Sequence, residues 1–250
     1  MNRSARSGGS SDRVSAAIDR LVRRYGLPAA SAPALLALIE LLAGDEHAPT
    51  AVRDPIAAVD AHLADSLVAL EFDEVRRARM VSDIGSGAGF PGLPLAIALP
   101  QASLALVESN GRRAAFLERA AAASGGNGVR VINSRVEEWA DGLGTCDLVV
   151  VRAVAPLPVV AEYAAPLLSV GGSLVAWRGR RDLEAEHKAA LAATELGLEP
   201  LEPRRVSPYS RAEHRYLHLM SKVRDTPARF PRRPGMALKR PLGAGRSGGS

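Results

Sequence analysis

Apolar positions recur at helical spacing through the first quarter of the chain. Val14, Ile18, Leu21 and Val22 share one face, and Leu35, Leu36, Ile39 and Leu42 share another, the i, i+3, i+4 pattern of amphipathic helices. Gly26 and Pro28 separate these two helices, and Gly44 ends the second. A third helix is predicted from Pro55 to Leu70, with Ile56, Val59, Leu63 and Leu67 along one stripe. After Leu70 the period changes. Short apolar runs at Met80–Ile84, Leu104–Val107, Val129–Ile132, Leu148–Val151 and Ser173–Trp177 predict strands. Helical patterns at Pro91–Leu99, Arg112–Ala123, Pro158–Leu168 and Leu183–Leu196 alternate with them or follow them. Such alternation predicts βαβ units and a mostly parallel sheet. Leu198–Val206 and His214–Val223 then read as two strands turned at Pro208 and Ser210, so the sheet ends in a hairpin. The expected fold class is therefore α/β. Residues 1–11 are rich in Gly and Ser and are read as a disordered N-terminus, 12–70 as a helical extension, 71–223 as the α/β domain, and 224–250 as a basic, flexible tail.

Composition narrows this picture. The 250 residues are 47% hydrophobic and 24% charged, which excludes a wholly disordered chain. The lone cysteine, Cys146, leaves no intramolecular disulfide and no Cys-cluster metal site, and suits a reducing cytoplasm. It precedes an apolar run and reads as a small core residue. The five histidines show no metal-ligand spacing, so no metal is expected. No segment has the roughly 18 uncharged apolar residues of a membrane span. The first ten residues lack the apolar centre of a secretory signal. The net charge of +5 is unevenly spread: between Arg204 and Arg246 stand twelve bases and two acids, so this stretch carries +10 and the remainder −5. A localised basic stretch fits a polyphosphate backbone, and it fits a solubilising tail equally well.

The candidate chemistry sits after the first strand. In Val81-Ser-Asp-Ile-Gly-Ser-Gly-Ala-Gly-Phe-Pro-Gly92, Gly85, Gly87 and Gly89 allow a sharp turn and close approach to a ligand. The run from Gly87 to Gly92 also satisfies G-x-G-x-x-G, a dinucleotide fingerprint. Asp83 discriminates between the two readings. A pyrophosphate wants no carboxylate beside it, whereas the amino-acid end of S-adenosylmethionine carries an ammonium group that a carboxylate suits. Glu108 follows the second strand, where an acid can accept from both ribose hydroxyls. Val136 and Glu137 follow the third strand, in the loop that would flank an adenine, and neighbouring Trp139 reads as core. Arg152 ends the fourth strand at the cleft edge, a position more often functional than accidental. His62 and Asp65 stand at i, i+3, a spacing that suits a structural pair or a site.

These segments resemble the RsmG (GidB) family, ribosomal RNA small subunit methyltransferase G. The resemblance rests on Asp83–Leu95, Thr50–Pro55, His62–Leu67, Glu108–Leu117, Ser134–Glu138, Val151–Val154, Trp177–Gly179, Phe230–Gly235 and Lys239–Leu242, in that family's order, and spans about Arg13 to Leu242. It implies a class I S-adenosylmethionine-dependent methyltransferase, Rossmann-like, that methylates N7 of one guanine in 16S rRNA near the decoding centre of the small ribosomal subunit. It further implies cofactor contacts at Gly85, Phe90, Val136, Glu137 and Arg152, with Glu108 on the ribose and Arg152 between cofactor and guanine. It departs at Leu41-Leu42, where the family commonly has Trp-Asn, at Ala48-Pro-Thr50, where it has Asn-Leu-Thr, and at Arg178, where it usually has Lys. The expected partner is 16S rRNA or the small subunit, with no membrane and a monomeric chain. Three rivals stay open at this point: an NAD-dependent oxidoreductase, a methyltransferase of the same fold acting on another RNA or a small molecule, and a non-catalytic RNA-binding protein.

Overall fold

The computed structural model describes residues 4–126 and 128–243, with side chains from residue 11 onward. Helices α1 (Ser4–Tyr25) and α2 (Ser31–Gly44) come first. α1 starts eight residues before Asp12, where the apolar periodicity begins, and runs through residues read as disordered. Once a helix is nucleated, each added residue contributes a backbone hydrogen bond without a new nucleation cost. Residues 1–3 lie outside the description. The predicted helix Pro55–Leu70 is instead a relay. It runs as α3 (Pro55–Ala58), a π-helical turn (Val59–Ala64), α4 (Asp65–Leu67) and a 3-10 turn (Val68–Glu71), with α5 (Asp73–Arg77) after it. Asp54 caps its start by accepting from the Ala57 amide at 2.8 Å.

Strands β1 (Met80–Ile84), β2 (Ser103–Val107), β3 (Val129–Ile132), β4 (Cys146–Arg152) and β5 (Leu168–Arg178) alternate with α6 (Gly92–Ala98), α7 (Gly111–Ala123) and α8 (Leu157–Ala164). After α9 (Leu183–Leu196) come β6 (Leu198–Pro200), β7 (Arg204–Arg205), β8 (Tyr216–Lys222) and α10 (Met236–Lys239). The eight-stranded sheet has the order β3-β2-β1-β4-β5-β8-β6, with β7 also on β8. β1 to β5 are parallel and β8 is antiparallel to β5. The strand expected over Leu198–Val206 is broken into β6 and β7, both pairing with β8. Pro200 and Pro203 lack the N–H that an unbroken ladder needs.

Both faces of the sheet are covered, so its strands are apolar throughout while their side chains still alternate. Val81, Leu104, Leu106, Leu148, Val150 and Val175 pack on one side with Leu35, Leu38, Ile39, Leu63 and Leu67 of the N-terminal helices. Ile84, Val107, Val149, Val151, Leu174 and Ala176 pack on the other with α8 and α9. Cys146 and Trp139 are buried on that second side. The N-terminal helices thus share one core with the sheet.

The segment read as a flexible tail is packed down as far as Gly243; residues 244–250 lie outside the description. Phe230 and Ala237 are buried beside α8, and Arg232 pairs with the buried carboxylate of Glu162. Three of its bases are thereby engaged within the protein: Arg224 at the Thr194 carbonyl, Arg229 at Glu195 and Arg232 at Glu162. Charge composition concealed this docking because each partner lies at least 30 residues away.

The strand order reverses between β1 and β4, and this reversal opens a crevice beyond their C-terminal ends. The turn from β1 into α6 borders it and is tied by one carboxylate. Asp83 Oδ2 accepts from the Gly92 amide at 2.9 Å, and Ser86 Oγ donates to the Asp83 carbonyl at 2.8 Å. A Cβ on Gly92 would stand 2.7 Å from Asp83 Oδ2 and 2.5 Å from Leu106 Cδ2, so only glycine admits this approach. Asp83 Oδ1 is buried without a hydrogen-bond partner. Burial pushes the carboxyl up to about 7, against the opposing pull of the Gly92 amide and Arg152. A carboxyl raised by folding favours the native state below its unfolded value and loses that contribution as pH rises through its folded value. The stability of the ligand-free wild type relative to Asp83→Asn should therefore fall by roughly 2–4 kcal/mol between about pH 4 and 8. Urea unfolding of both proteins across that range checks this, and parallel pH profiles would contradict it.

Candidate active site

Two carboxylates face the glycine turn. The first, Asp83, lies inside it. The second, Glu108, directly follows β2 and is 5% exposed. Its Oε2 accepts from the Gly87 amide at 3.0 Å and its Oε1 from the Asn110 amide at 2.8 Å. Its carbonyl accepts from Asn133 Nδ2 at 2.9 Å, which ties the end of β2 to the end of β3. Gly85 and Gly87 hold φ of +67° and +57°, a region that glycine enters without strain. A dinucleotide pyrophosphate would need the amides of this turn. Here the Gly87 amide is already given to an acid, whose charge would repel a phosphate. The geometry therefore counts against the NAD reading.

Beside the turn lies a cavity of about 170 Å3. Gly85, Val136 and Glu137, three of the residues singled out in the sequence, line it. Glu108 stands between two lining residues, Val107 and Ser109. Asp83, Gly87, Gly89 and Phe90 are not in the lining: Asp83 holds the start of α6, the Gly87 amide is tied to Glu108, and Phe90 is buried against His62. Other lining residues were missed: Ser109, Ser134, Arg135 and Val154 lie inside the resembling segments without being singled out, Tyr163 sits in an apolar helix that reads as core, and Leu238 belongs to the segment read as a tail. No local pattern marks the last two, since only the tertiary fold brings them here.

Arg152 opens a second bay. Its Nη1 donates to Asp65 Oδ2 at 3.1 Å and to the Ala61 carbonyl at 3.2 Å. Arg215 Nε donates to Asp65 Oδ1 at 3.1 Å, and Trp177 Nε1 to the Asp65 carbonyl at 2.7 Å. One buried carboxylate thus holds two guanidinium groups, and the cluster keeps a net positive charge. The Arg152 guanidinium lies 5.6 Å from the centre of the Phe90 ring. Phe90 stacks on His62 at 4.5 Å with 14° between the planes. His62 and Asp65 do not pair with each other. His62 Nε2 meets Thr50 Oγ1 at 2.9 Å, while Asp65 turns to the arginines. Burial, with Arg152 nearby, lowers the His62 pKa to about 4, so the imidazole is neutral near pH 7. Arg178, whose Nη2 donates to the Ala155 carbonyl at 2.7 Å, completes the wall.

The two spaces share the end of β4. Arg152 and Ala153 face the cationic bay, and Val154 and Ala155 line the glycine-turn cavity. Ala153 holds φ of +56°, the one positive value at a non-glycine residue among those described. Such strain persists only where the surroundings enforce it. Val154 fills the space over Gly85: a Cβ on Gly85 would lie 2.5 Å from Val154 Cγ2. A ligand in the cavity and a flat group in the bay would therefore meet at this loop. The bay offers donors and ring faces; its carboxylate is already engaged by the two arginines, whereas His62 meets Thr50 through Nε2 and leaves Nδ1 buried without a partner.

Comparison with known proteins identifies the family and the fold. The family model described as "rRNA small subunit methyltransferase G" (GidB) matches residues 33–208. A protein of Rubrobacter xylanophilus named ribosomal RNA small subunit methyltransferase G is 42% identical over 215 residues, covering 82% of this chain and 81% of its own length. The protein of that name from Desulfitobacterium hafniense is 37% identical over 196 residues, covering 77% and 81%. Among solved structures, a SAM-dependent methyltransferase from Aquifex aeolicus superposes with a TM-score of 0.51 at 15% identity, over 66% of this chain and 92% of its own. A SAM-dependent O-methyltransferase from Thermotoga maritima does so with 0.50 at 20% identity, over 64% of each chain. These structural likenesses establish the fold, a class I methyltransferase architecture. The length and identity of the sequence matches establish more: the chain belongs to the rRNA small subunit methyltransferase G family.

Proposed function

We propose that this protein transfers a methyl group from S-adenosylmethionine to N7 of a guanine in the 16S rRNA of the small ribosomal subunit. The observation that carries the reading is the pair of spaces meeting at the end of β4, one lined by Glu137 with Glu108 beside it and the other by guanidinium and aromatic groups. The donor set fits the cofactor: Glu108 and Glu137 suit a ligand that bears cationic groups and hydroxyls and no phosphate. When bound, S-adenosylmethionine supplies an electrophilic methyl on a sulfonium.

The chain's own residues position the reactants. The Gly85–Gly87 backbone admits the ligand closely, Glu108 keeps lone pairs for ribose hydroxyls, and Val136 and Glu137 border the space for the adenine. Arg152 orients the guanine, held in place by Asp65. N7 of guanine carries an in-plane lone pair and loses no proton before attack, so no general base is required. The catalytic effect then comes from holding two reactants in line, which supplies about 7–11 kcal/mol in favourable cases, and from polar groups that accommodate the charge passing to the base. The guanine must leave its stack or come from a loop to enter the bay. Arg178 and Arg180, which have no carboxylate partner among the described residues, extend the cationic wall towards RNA phosphates. The proposed substrate places the enzyme in the cytoplasm, and the reading needs only one copy of the chain.

Labelled S-adenosylmethionine, incubated with the enzyme and with 16S rRNA or small subunits lacking the modification, should deposit label at one guanine N7. Label elsewhere, or on no RNA form, would send the reading to a different substrate. Arg152→Ala should lower transfer at least about a hundredfold, comparable to losing one preorganised electrostatic donor; full turnover would remove Arg152 from the reaction. Arg180→Ala should weaken binding across RNA sequences and reduce the slope of log affinity against log salt by about 0.7–1. An unchanged slope would place Arg180 outside the RNA contact.

A further inference from the structure

We propose that the C-terminal segment from Phe230 to Gly243 is a wall of the cofactor pocket, and that cofactor affinity depends on its docking through Arg232 on Glu162. The inference rests on reading the glycine-turn cavity as the cofactor site.

Three sets of contacts carry it. Leu238, on α10, lines the cavity directly. It is 54% exposed, and Val154 of the same lining is 38% exposed. Two large apolar side chains thus face water in one cavity, and a ligand filling it would remove that surface from solvent. The second contact concerns Glu137, which also lines the cavity. Its Oε1 accepts from the Gly235 amide at 2.9 Å. Gly235 holds φ of +78°, so the strap turns there and aims its amide at the carboxylate. The position of Glu137 is therefore set in part by backbone 98 residues further along the chain.

The third set anchors the strap. Arg232 Nε donates to Glu162 Oε1 at 2.6 Å, and its Nη2 donates to Glu162 Oε2 and, at 2.9 Å, to the Arg240 carbonyl. Glu162 is 2% exposed and precedes Tyr163, another lining residue. The anchor is thus one residue from the cavity wall. Phe230 and Ala237 are buried on the α8 side of the core, and Gly243 lies so close to the Lys188 carbonyl that a Cβ would collide with it. A bidentate, desolvated pair with apolar neighbours fixes geometry well, and removing one partner leaves a buried charge uncompensated. Any ligand that gains contacts from the docked strap must, by linkage, also stabilise its docking.

Calorimetric titration of the full-length wild type, Arg232→Met and Leu238→Ser with S-adenosylhomocysteine tests this. Thermal unfolding without ligand is measured alongside. Leu238→Ser trims an exposed side chain and should leave the melting temperature unchanged while weakening binding about tenfold. Arg232→Met should weaken it at least as much; if it fails to fold, Leu238→Ser decides. In the wild type, S-adenosylhomocysteine should slow hydrogen exchange at the amides of 229–240. Wild-type binding with both folded variants equal to it, or with Leu238→Ser alone equal to it, and no change in exchange would overturn the strap and leave the cofactor reading intact. Absence of wild-type binding would overturn the cofactor reading and the strap together.

Discussion

Two buried carboxylates hold the turn on which the site is built. Asp83 fastens the start of α6 through the Gly92 amide, and Glu108 fastens the middle of the turn through the Gly87 amide. The first bond needs Gly92 to carry no Cβ, and the second needs the positive φ of Gly87, so the run of glycines and the two acids are one device. It costs stability, since one oxygen of Asp83 is buried without a partner. In return the turn stands open beside the switch in strand order with its anion-binding amide occupied. A site of this kind is electrostatically suited to a cationic nucleoside ligand and unsuited to a pyrophosphate. The same G-x-G-x-x-G spacing therefore serves a different cofactor, because the acids decide the chemistry and the glycines only permit it.

The bay for the second reactant is assembled from remote segments. Asp65 comes from the relay before β1, Arg152 from β4, Trp177 from β5 and Arg215 from the approach to β8. This gives the N-terminal helices a reason to share the core of the sheet: without them Arg152 would lose both Asp65 and the Ala61 carbonyl. The π-helical turn over Val59–Ala64 belongs to the same design, since such insertions recur at functional sites. It sends His62 to Phe90 and Asp65 to the arginines, so two residues of one short segment serve different walls.

Periodicity carried the sheet well because each strand is buried on both faces and bounded by turn residues. β1 and β3 begin and end at the residues the apolar runs indicate, and α9 does so as well. Where contacts across the fold decide, local pattern failed. The relay after Pro55 reads as one helix because its apolar stripe is continuous, and the insertion that widens it leaves no mark in the spacing. Pro200 and Pro203, both within Leu198–Val206, mark the break between β6 and β7. At the site, Gly85, Val136 and Glu137 meet in one cavity as their positions after successive parallel strands suggest. Phe90, five residues after Gly85, lies outside that cavity's lining and stacks on His62. The basic C-terminal segment misled most. Its charge suggests a free, phosphate-seeking tail, yet Arg229 and Arg232 are neutralised by Glu195 and Glu162, partners that composition cannot reveal.

The central claim is that a carboxylate-held turn selects a sulfonium nucleoside over a pyrophosphate dinucleotide. It is tested most directly by calorimetric titration of the wild-type protein with S-adenosylmethionine and, separately, with NADH. The account predicts saturable one-to-one binding of S-adenosylmethionine and no measurable heat with NADH. NADH binding as tight as that of S-adenosylmethionine would contradict it.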